Sequence, residues 1–182
     1  MKSYDDSEIL SLFAAEKTKE KAFNILLKKY QKPVYFHIRR MVILHEDADD
    51  LTQDTFVKIW HNLHAFKKES KLFTWIYRIA TNEAITFLNR KKRFYFLPFN
   101  NYESHLQNKL IDDSFFNADD VQLKLHKAIL TLPQKQRIVF NMKYFDAMKY
   151  DTMAVILNTS VGALKASYHI AVKKIEQFLK NN

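Results

Sequence analysis

Cysteine is absent from the 182 residues, and glycine occurs once. Without cysteine there is no disulfide, no thiol nucleophile, and no zinc or iron–sulfur site built on cysteine ligands. Ordinary usage would place about 13 glycines in a chain of this length. A single glycine cannot make a glycine-rich phosphate loop or a dinucleotide fingerprint, each of which needs several. It also leaves hairpin turns poorly supplied, because their positive φ angles favour Gly or Asn. A sandwich or barrel is therefore disfavoured and an all-α fold is expected. No apolar run approaches the roughly 18 residues of a membrane span. The start, Met1-Lys2-Ser3-Tyr4-Asp5-Asp6, lacks the apolar core of a signal peptide. Together these point to a cytoplasmic protein. No Ser-His-Asp or paired-carboxylate set can be assembled, so no catalysis, cofactor or small-molecule substrate is expected.

What is present is positive charge and apolar bulk. Lys and Arg number 29 against 20 Asp and Glu, a net charge of +9, and 47% of residues are hydrophobic, enough for a packed core. The charge is segregated. Residues 1–97 carry 18 basic and 12 acidic side chains, residues 98–120 carry 1 and 5, and residues 121–182 carry 10 and 3. The acidic middle, rich in Asn, Asp and Ser, has no clean period and reads as a flexible linker over 98–119. Its Phe115 and Phe116 either dock on a neighbouring surface or pack only locally. The chain thus divides into two small helical domains, 1–97 and 120–182.

Helical spacing is visible on both sides of the linker. Phe23, Leu26, Leu27, Tyr30 and Val34 mark a first helix, which Pro33 is expected to kink or break. Leu51, Thr55, Phe56, Ile59 and Leu63 face inward from a second helix, about 48–63. Leu72, Ile76, Ile79, Ala80, Phe87 and Leu88 do so from a third, about 72–94. Past the linker, Val121, Leu125, Ala128 and Ile129 form one stripe. Leu132-Pro133 opens another helix, with proline suited to the first turn. A short segment over 151–157 is broken by Asn158-Thr159-Ser160, with Ser160 a good N-cap. A long helix then carries Val161, Leu164, Tyr168, Ala171, Val172, Ile175, Phe178 and Leu179 on one face.

Short helix, tight turn and long amphipathic helix make a helix-turn-helix pattern, whose second helix lies in the major groove. Its outward residues are Gly162, Ala163, Lys165, Ala166, His169, Ile170 and Lys173. Small residues there allow close approach, and the lysines reach a guanine edge or phosphates. A helical hairpin used for protein packing is the alternative. The third helix presents Thr74, Arg78, Asn82, Thr86, Asn89 and Arg93 at helical spacing beside aromatics read as exposed, Trp75 and Tyr77. That combination suits unpaired bases; the alternative is a solvated face with a basic end that complements the helix dipole. The acidic cluster Glu46, Asp47, Asp49, Asp50 and Asp54 opens the second helix. It repels nucleic acid and suits a basic protein partner, or else serves the helix N-terminus. His61 and His64 sit three apart without a third ligand, so no metal site is expected.

In combination these motifs resemble the extracytoplasmic-function sigma factors of bacterial RNA polymerase, over about residues 10–96 and 120–180. The run Asp49-Asp50-Leu51-Thr52-Gln53-Asp54-Thr55-Phe56-Val57-Lys58-Ile59-Trp60 is similar to that family's core-polymerase-binding helix. Phe73-Thr74-Trp75-Ile76-Tyr77-Arg78-Ile79-Ala80-Thr81-Asn82 resembles its promoter-melting segment. Leu132 to Phe140 resembles the opening of its second domain, and Val161-Gly162-Ala163-Leu164-Lys165-Ala166-Ser167 its recognition helix. The resemblance implies that Asp49, Asp50, Gln53, Asp54, Lys58 and Trp60 grip the polymerase. It implies that Phe66 and Asn82 line a pocket for a flipped base of the downstream promoter element, with Lys67, Trp75, Arg78, Thr86, Arg90, Lys91 and Arg93 along the same DNA. Arg137, Ser160, Gly162, Ala163, Lys165, Ala166, Ser167, His169 and Lys173 would then meet the upstream element. The implied partners are core RNA polymerase, promoter DNA and an anti-sigma factor. Two features depart from the pattern: Thr152-Met153-Ala154 replaces an acidic residue and Ile before the alanine, and Asn158 replaces the glycine of the turn. Asn tolerates the left-handed conformation that such a turn needs. A stand-alone helix-turn-helix regulator and a helical protein-interaction module are the competing readings.

Overall fold

The computed structural model of the chain describes residues 4–94, 106, 108–116 and 119–181, and among these it is helical with no strand. The N-terminal domain comprises α1 (Asp6–Ala14), α2 (Lys19–Val42), α3 (His45–Asn62) and α4 (Leu72–Phe94). Short 3-10 turns at Glu16–Thr18 and Leu63–Ala65 join α1 to α2 and follow α3. The C-terminal domain comprises α5 (Asp120–Leu130), α6 (Gln134–Tyr144), α7 (Tyr150–Leu157) and α8 (Val161–Asn181). Start signals act as their chemistry dictates. Asp5 and Glu8 form a reciprocal capping box on α1, and the Asp119 carboxylate accepts from the Gln122 N–H at 2.7 Å.

The N-terminal core is built by the apolar stripes of the four helices. Leu26, Val34 and Ile38 of α2 meet Ile59 of α3 and Ile76, Ala80 and Ala84 of α4, all fully buried. Burying one such Leu or Ile side chain contributes about 1.5–3 kcal/mol. Three buried threonines share this interior without leaving a hydroxyl unpaired. Thr52, Thr55 and Thr81 each donate to the carbonyl one turn earlier, at 2.6–2.7 Å.

The helix-turn-helix forms as expected. Asn158 caps α7 in the left-handed region at φ 49, ψ 54, and the Ser160 hydroxyl accepts from the Ala163 N–H at 3.2 Å. Ala128, Ile129, Leu132, Phe140, Ala171 and Ile175 close the core beneath it.

Four expectations are corrected. First, of the kink or break expected at Pro33 no break occurs, and α2 runs on through it. Pro33 is exposed, so the carbonyl of Lys29 that loses its partner faces water. Second, Tyr77 and Thr74 are buried, at 4% and 6% exposure. The third helix is covered on a wider arc than an isolated stripe predicts, because helices from both domains pack on it. Third, Val121 is 75% exposed and does not belong to the α5 stripe, because it stands in the first turn, ahead of the contact with α8. Fourth, the linker is not flexible throughout. Leu106, Leu110 and Phe116 are buried with Ile43 and Leu130, and residues 108–112 are helical. Ile43 adopts φ 72, an uncommon conformation for a β-branched residue, costing about 1–3 kcal/mol. Its burial in this cluster offsets that strain.

The two domains are packed on each other. Ile138, Val139, Met142, Met153, Ile156 and Leu164 join the N-terminal core cluster. Polar contacts cross the same boundary. His37 Nδ1 donates to Asp146 at 2.7 Å, and Arg40 donates to the other oxygen of that carboxylate. The Asn141 amide donates to the Arg40 carbonyl at 3.0 Å.

Candidate functional site

Helix α3 sorts its acidic and aromatic residues onto two adjacent stripes. Asp49, Gln53 and Trp60 line a groove of about 840 Å³ between α2 and α3, whose apolar walls are Leu27, Phe56 and Val57. Asp50, Asp54 and Lys58, spaced by four, form the next stripe and are exposed. Trp60 is fixed edge-on against Phe13 and Phe23, at 5.6 and 4.9 Å, with Lys19 above the indole at 5.2 Å. At the far end of the groove the Tyr35 hydroxyl lies 2.7 Å from His45 Nδ1, and His45 Nε2 is 3.4 Å from Asp49. Burial pushes the Tyr35 phenol above its ordinary value. An apolar trough with an acidic rim suits an amphipathic helix carrying basic residues.

A second constellation gathers at the start of α4. Phe66, Lys67, Trp75 and Arg78 line one cavity of about 330 Å³. The Phe66 and Trp75 rings stand 5.3 Å apart, tilted by 48°. Asn82 and Thr86 follow Arg78 at spacings of four, both exposed, and Arg90 continues the exposed face. Two aromatic faces beside a lysine and a guanidinium can stack a base and neutralise its phosphate.

The third constellation is the outward face of α8. Gly162, Ala163, Lys165, Ala166, His169 and Lys173 are exposed, and Ser167 is half-buried. Lys165 lies 5.9 Å above the Tyr150 ring. A Cβ built on Gly162 meets nothing within 4 Å, so no packing contact within the fold requires the glycine. Gly162→Ala is therefore expected to stabilise the chain by about 0.5–1 kcal/mol in thermal or chemical unfolding. A concurrent loss of promoter affinity would mark close approach to DNA as the reason for glycine.

Several expected contacts are otherwise engaged. Lys58 pairs with Glu83 at 2.5 Å, and Lys91 pairs with Asp47 at 2.6 Å beneath the Phe87 ring. Both lysines join α3 to α4 in this structure, and Lys91 is only partly accessible to a phosphate. Arg137 is 7% exposed, because α6 turns that face into the protein. Arg93 falls in the last turn of α4, and its side chain lies outside the described residues. Among the described residues no group of three His, Cys, Asp or Glu is arranged to hold a metal ion. His61 and His64 are both exposed.

Two segments match known family models in the order the constellations occupy. Residues 26–94 match Sigma-70 region 2 and residues 122–175 match Sigma-70, region 4. The chain belongs to the extracytoplasmic-function sigma factors. It is 26% identical to the ECF RNA polymerase sigma factor SigW of Bacillus subtilis over 174 residues, 91% of this chain and 93% of that one. It is 27% identical to the ECF RNA polymerase sigma-E factor of Escherichia coli over 169 residues, 88% of each chain. Among solved structures, the fold is like that of the sigma factor RpoE in complex with the anti-sigma factor NepR from Bartonella quintana. There the TM-score is 0.67 at 21% identity, covering 88% of this chain and 98% of that one. It is also like CnrH in complex with the cytosolic domain of CnrY, with TM-score 0.69 at 22% identity, covering 97% and 99%. No helix among the described residues of this sigma factor is long and apolar enough to cross a membrane.

Sequence reasoning missed His37, Arg39 and Asp146. Arg39, 1% exposed, pairs with Asp113 and stacks over Phe116 at 4.7 Å. Burial alone would raise the Asp146 carboxyl, but His37 and Arg40 outweigh it and hold it below the ordinary carboxylate value. The one available signal was a pair of adjacent arginines at the end of an otherwise apolar stripe.

Proposed function

We propose that the chain is a sigma factor that binds core RNA polymerase and directs promoter recognition and transcription initiation at a limited gene set. The observation that carries this reading is the coexistence of three surfaces in family order. They are an acidic-rimmed groove on α3, an aromatic and cationic cavity continued by a polar stripe on α4, and a helix-turn-helix. No catalytic role is assigned, since sigma factors are non-enzymatic initiation factors. The cytoplasm is the matching location. An anti-sigma factor is the third partner we assign, supported by the partner of the Bartonella quintana RpoE structure.

In this reading Asp49, Asp50, Gln53, Asp54 and Trp60 hold the polymerase, with Lys58 at the edge. Phe66, Lys67, Trp75, Arg78 and Asn82 take the melted downstream element, and Thr86, Arg90, Lys91 and Arg93 follow its backbone. Gly162, Ala163, Lys165, Ala166, Ser167, His169 and Lys173 read the upstream element, with Ser160 toward phosphate; Arg137, turned into the protein, takes no part.

The test is transcription with purified core polymerase on a promoter library. Asp50→Lys is expected to weaken core binding at least about tenfold, since it places like charge against a basic partner, while helical content stays unchanged. Asn82→Ala is expected to lower open-complex yield with core binding intact. Wild-type protein that neither binds core nor starts transcription defeats the reading. Tight binding to a palindrome without polymerase would favour a stand-alone regulator instead.

A further inference from the structure

The groove assigned to polymerase is built differently at its two ends. Trp60 stands at one end, against Phe13 and Phe23. At the other, three side chains meet across the helix crossing: Tyr35 from α2, and His45 and Asp49 from α3, all lining the groove. The Tyr35 hydroxyl and His45 Nδ1 are 2.7 Å apart, and the two rings stand edge-on at 5.9 Å. One helical turn on, an Asp49 carboxylate oxygen lies 3.4 Å from His45 Nε2.

With the imidazole neutral, donor and acceptor rules allow one arrangement. A carboxylate only accepts, so Nε2 carries the hydrogen that faces Asp49. Nδ1 is then an acceptor, and the Tyr35 O–H donates to it. Two features support that direction. Burial raises the Tyr35 phenol above its ordinary value and so keeps its hydrogen in place. The buried Arg39 guanidinium bears on the same oxygen, and a fixed cation turns the hydroxyl hydrogen away from itself. Helix physics supplies no competing reason for the histidine. It opens α3 behind Leu44, which gives no side-chain cap, and a cation there would oppose the helix dipole. The His45 and Asp49 side chains are 65% and 48% exposed, so their contact adds little to stability.

We propose that His45 is a positioning residue for the polymerase contact: anchored across the helix crossing by the Tyr35 hydroxyl, it steers the Asp49 carboxylate toward a basic side chain of the partner. The proposal deepens the function given above and rests on it. A free aspartate on a helix surface samples several rotamers and must be ordered when a partner arrives. One steered beforehand has less freedom left to lose on binding. The contact to Tyr35 is tight and the contact to Asp49 is looser. The ring is therefore fixed from α2, while the carboxylate keeps capacity for a second donor. One of its oxygens faces the His45 N–H, and the other is left for a Lys or Arg.

The test is binding of the full chain to purified core RNA polymerase. Tyr35→Phe and His45→Ala are each expected to weaken it about three- to tenfold, the cost of ordering one side chain. Combined, they are expected to cost no more than the larger single loss, because both cut the same link. His45→Gln, whose amide accepts from Tyr35 and donates to Asp49, is expected to recover most of the affinity. Helical content by circular dichroism is expected to stay unchanged in every variant. A second readout needs no polymerase. Nitrogen NMR of the His45 ring at about pH 8.5 is expected to show the Nε2–H tautomer, and Tyr35→Phe to shift it toward a mixture. Additive losses, wild-type affinity in His45→Ala, or no rescue by glutamine overturns the proposal, as does an Nδ1–H ring in the wild type. Wild type that fails to bind core overturns the function reading, and with it the partner named here. The tautomer then decides alone whether Tyr35 and Asp49 hold the ring.

Discussion

Phe116→Ala is expected to lower the free energy of unfolding by about 3–5 kcal/mol, read from the shift of the chemical-denaturation midpoint. The residue lies in a stretch whose sequence has the composition of a linker, yet its ring is fully buried. It stands edge-on to His126 at 4.8 Å and to Phe115 at 4.7 Å, under the Arg39 guanidinium. Truncation opens a cavity and strips the cation of its aromatic face. It also removes the packing that holds Ile43 at positive φ. A loss below about 1 kcal/mol, the size of an ordinary surface change, would mean that the linker docks without contributing to the fold.

Acid is expected to weaken the fold from about pH 6.5 downward. Burial, and then the Arg40 charge, pushes the His126 imidazole down to about 4. Its ring is stacked on Phe145 at 5.4 Å and 8°. Above the ordinary value of 6.5 the ring is neutral in both folded and unfolded chains, and its contribution is constant. Between 6.5 and about 4 the unfolded chain takes up a proton that the folded chain refuses, so stability falls as pH falls. The full gap amounts to at most about 3 kcal/mol. His126→Phe is expected to flatten unfolding free energy against pH over that window; an unchanged slope would place the acid sensitivity elsewhere. Asp146 acts lower. Its depressed carboxyl lends stability that is present above its ordinary value of 3.8 and lost as pH falls through the folded value.

Local rules found the parts of the molecule that local physics governs. The apolar spacing of Leu51, Thr55, Phe56, Ile59 and Leu63 located α3. Asn158 and Ser160 identified the turn before α8, because left-handed tolerance and N-capping are properties of single residues. The polar stripe through Arg78, Asn82 and Thr86 was likewise legible, since solvent exposure follows helical spacing.

What escaped is what depends on distant partners. His37 and Asp146 are separated by 109 positions, and no periodicity links them. Lys58 and Lys91 look like free cations in sequence, and only the crossing of α3 on α4 gives them Glu83 and Asp47. Tyr77 and Thr74 read as exposed because a helix facing one partner leaves them out, whereas this helix is packed by two domains. The linker misled through composition. Its Asn, Asp and Ser signal loop, while the few apolar residues Leu106, Leu110 and Phe116 decide where it sits.

The two tryptophans fall in two separate cavities: Trp60 lines the groove on α3, and Trp75 lines the cavity at the start of α4. The molecule therefore carries an intrinsic optical reporter for each. Replacing either indole by phenylalanine leaves a single emitter, whose colour and intensity follow the wetting of one surface alone. Occupancy of the groove and of the cavity can then be recorded separately, in unlabelled protein, as polymerase and DNA are added in turn.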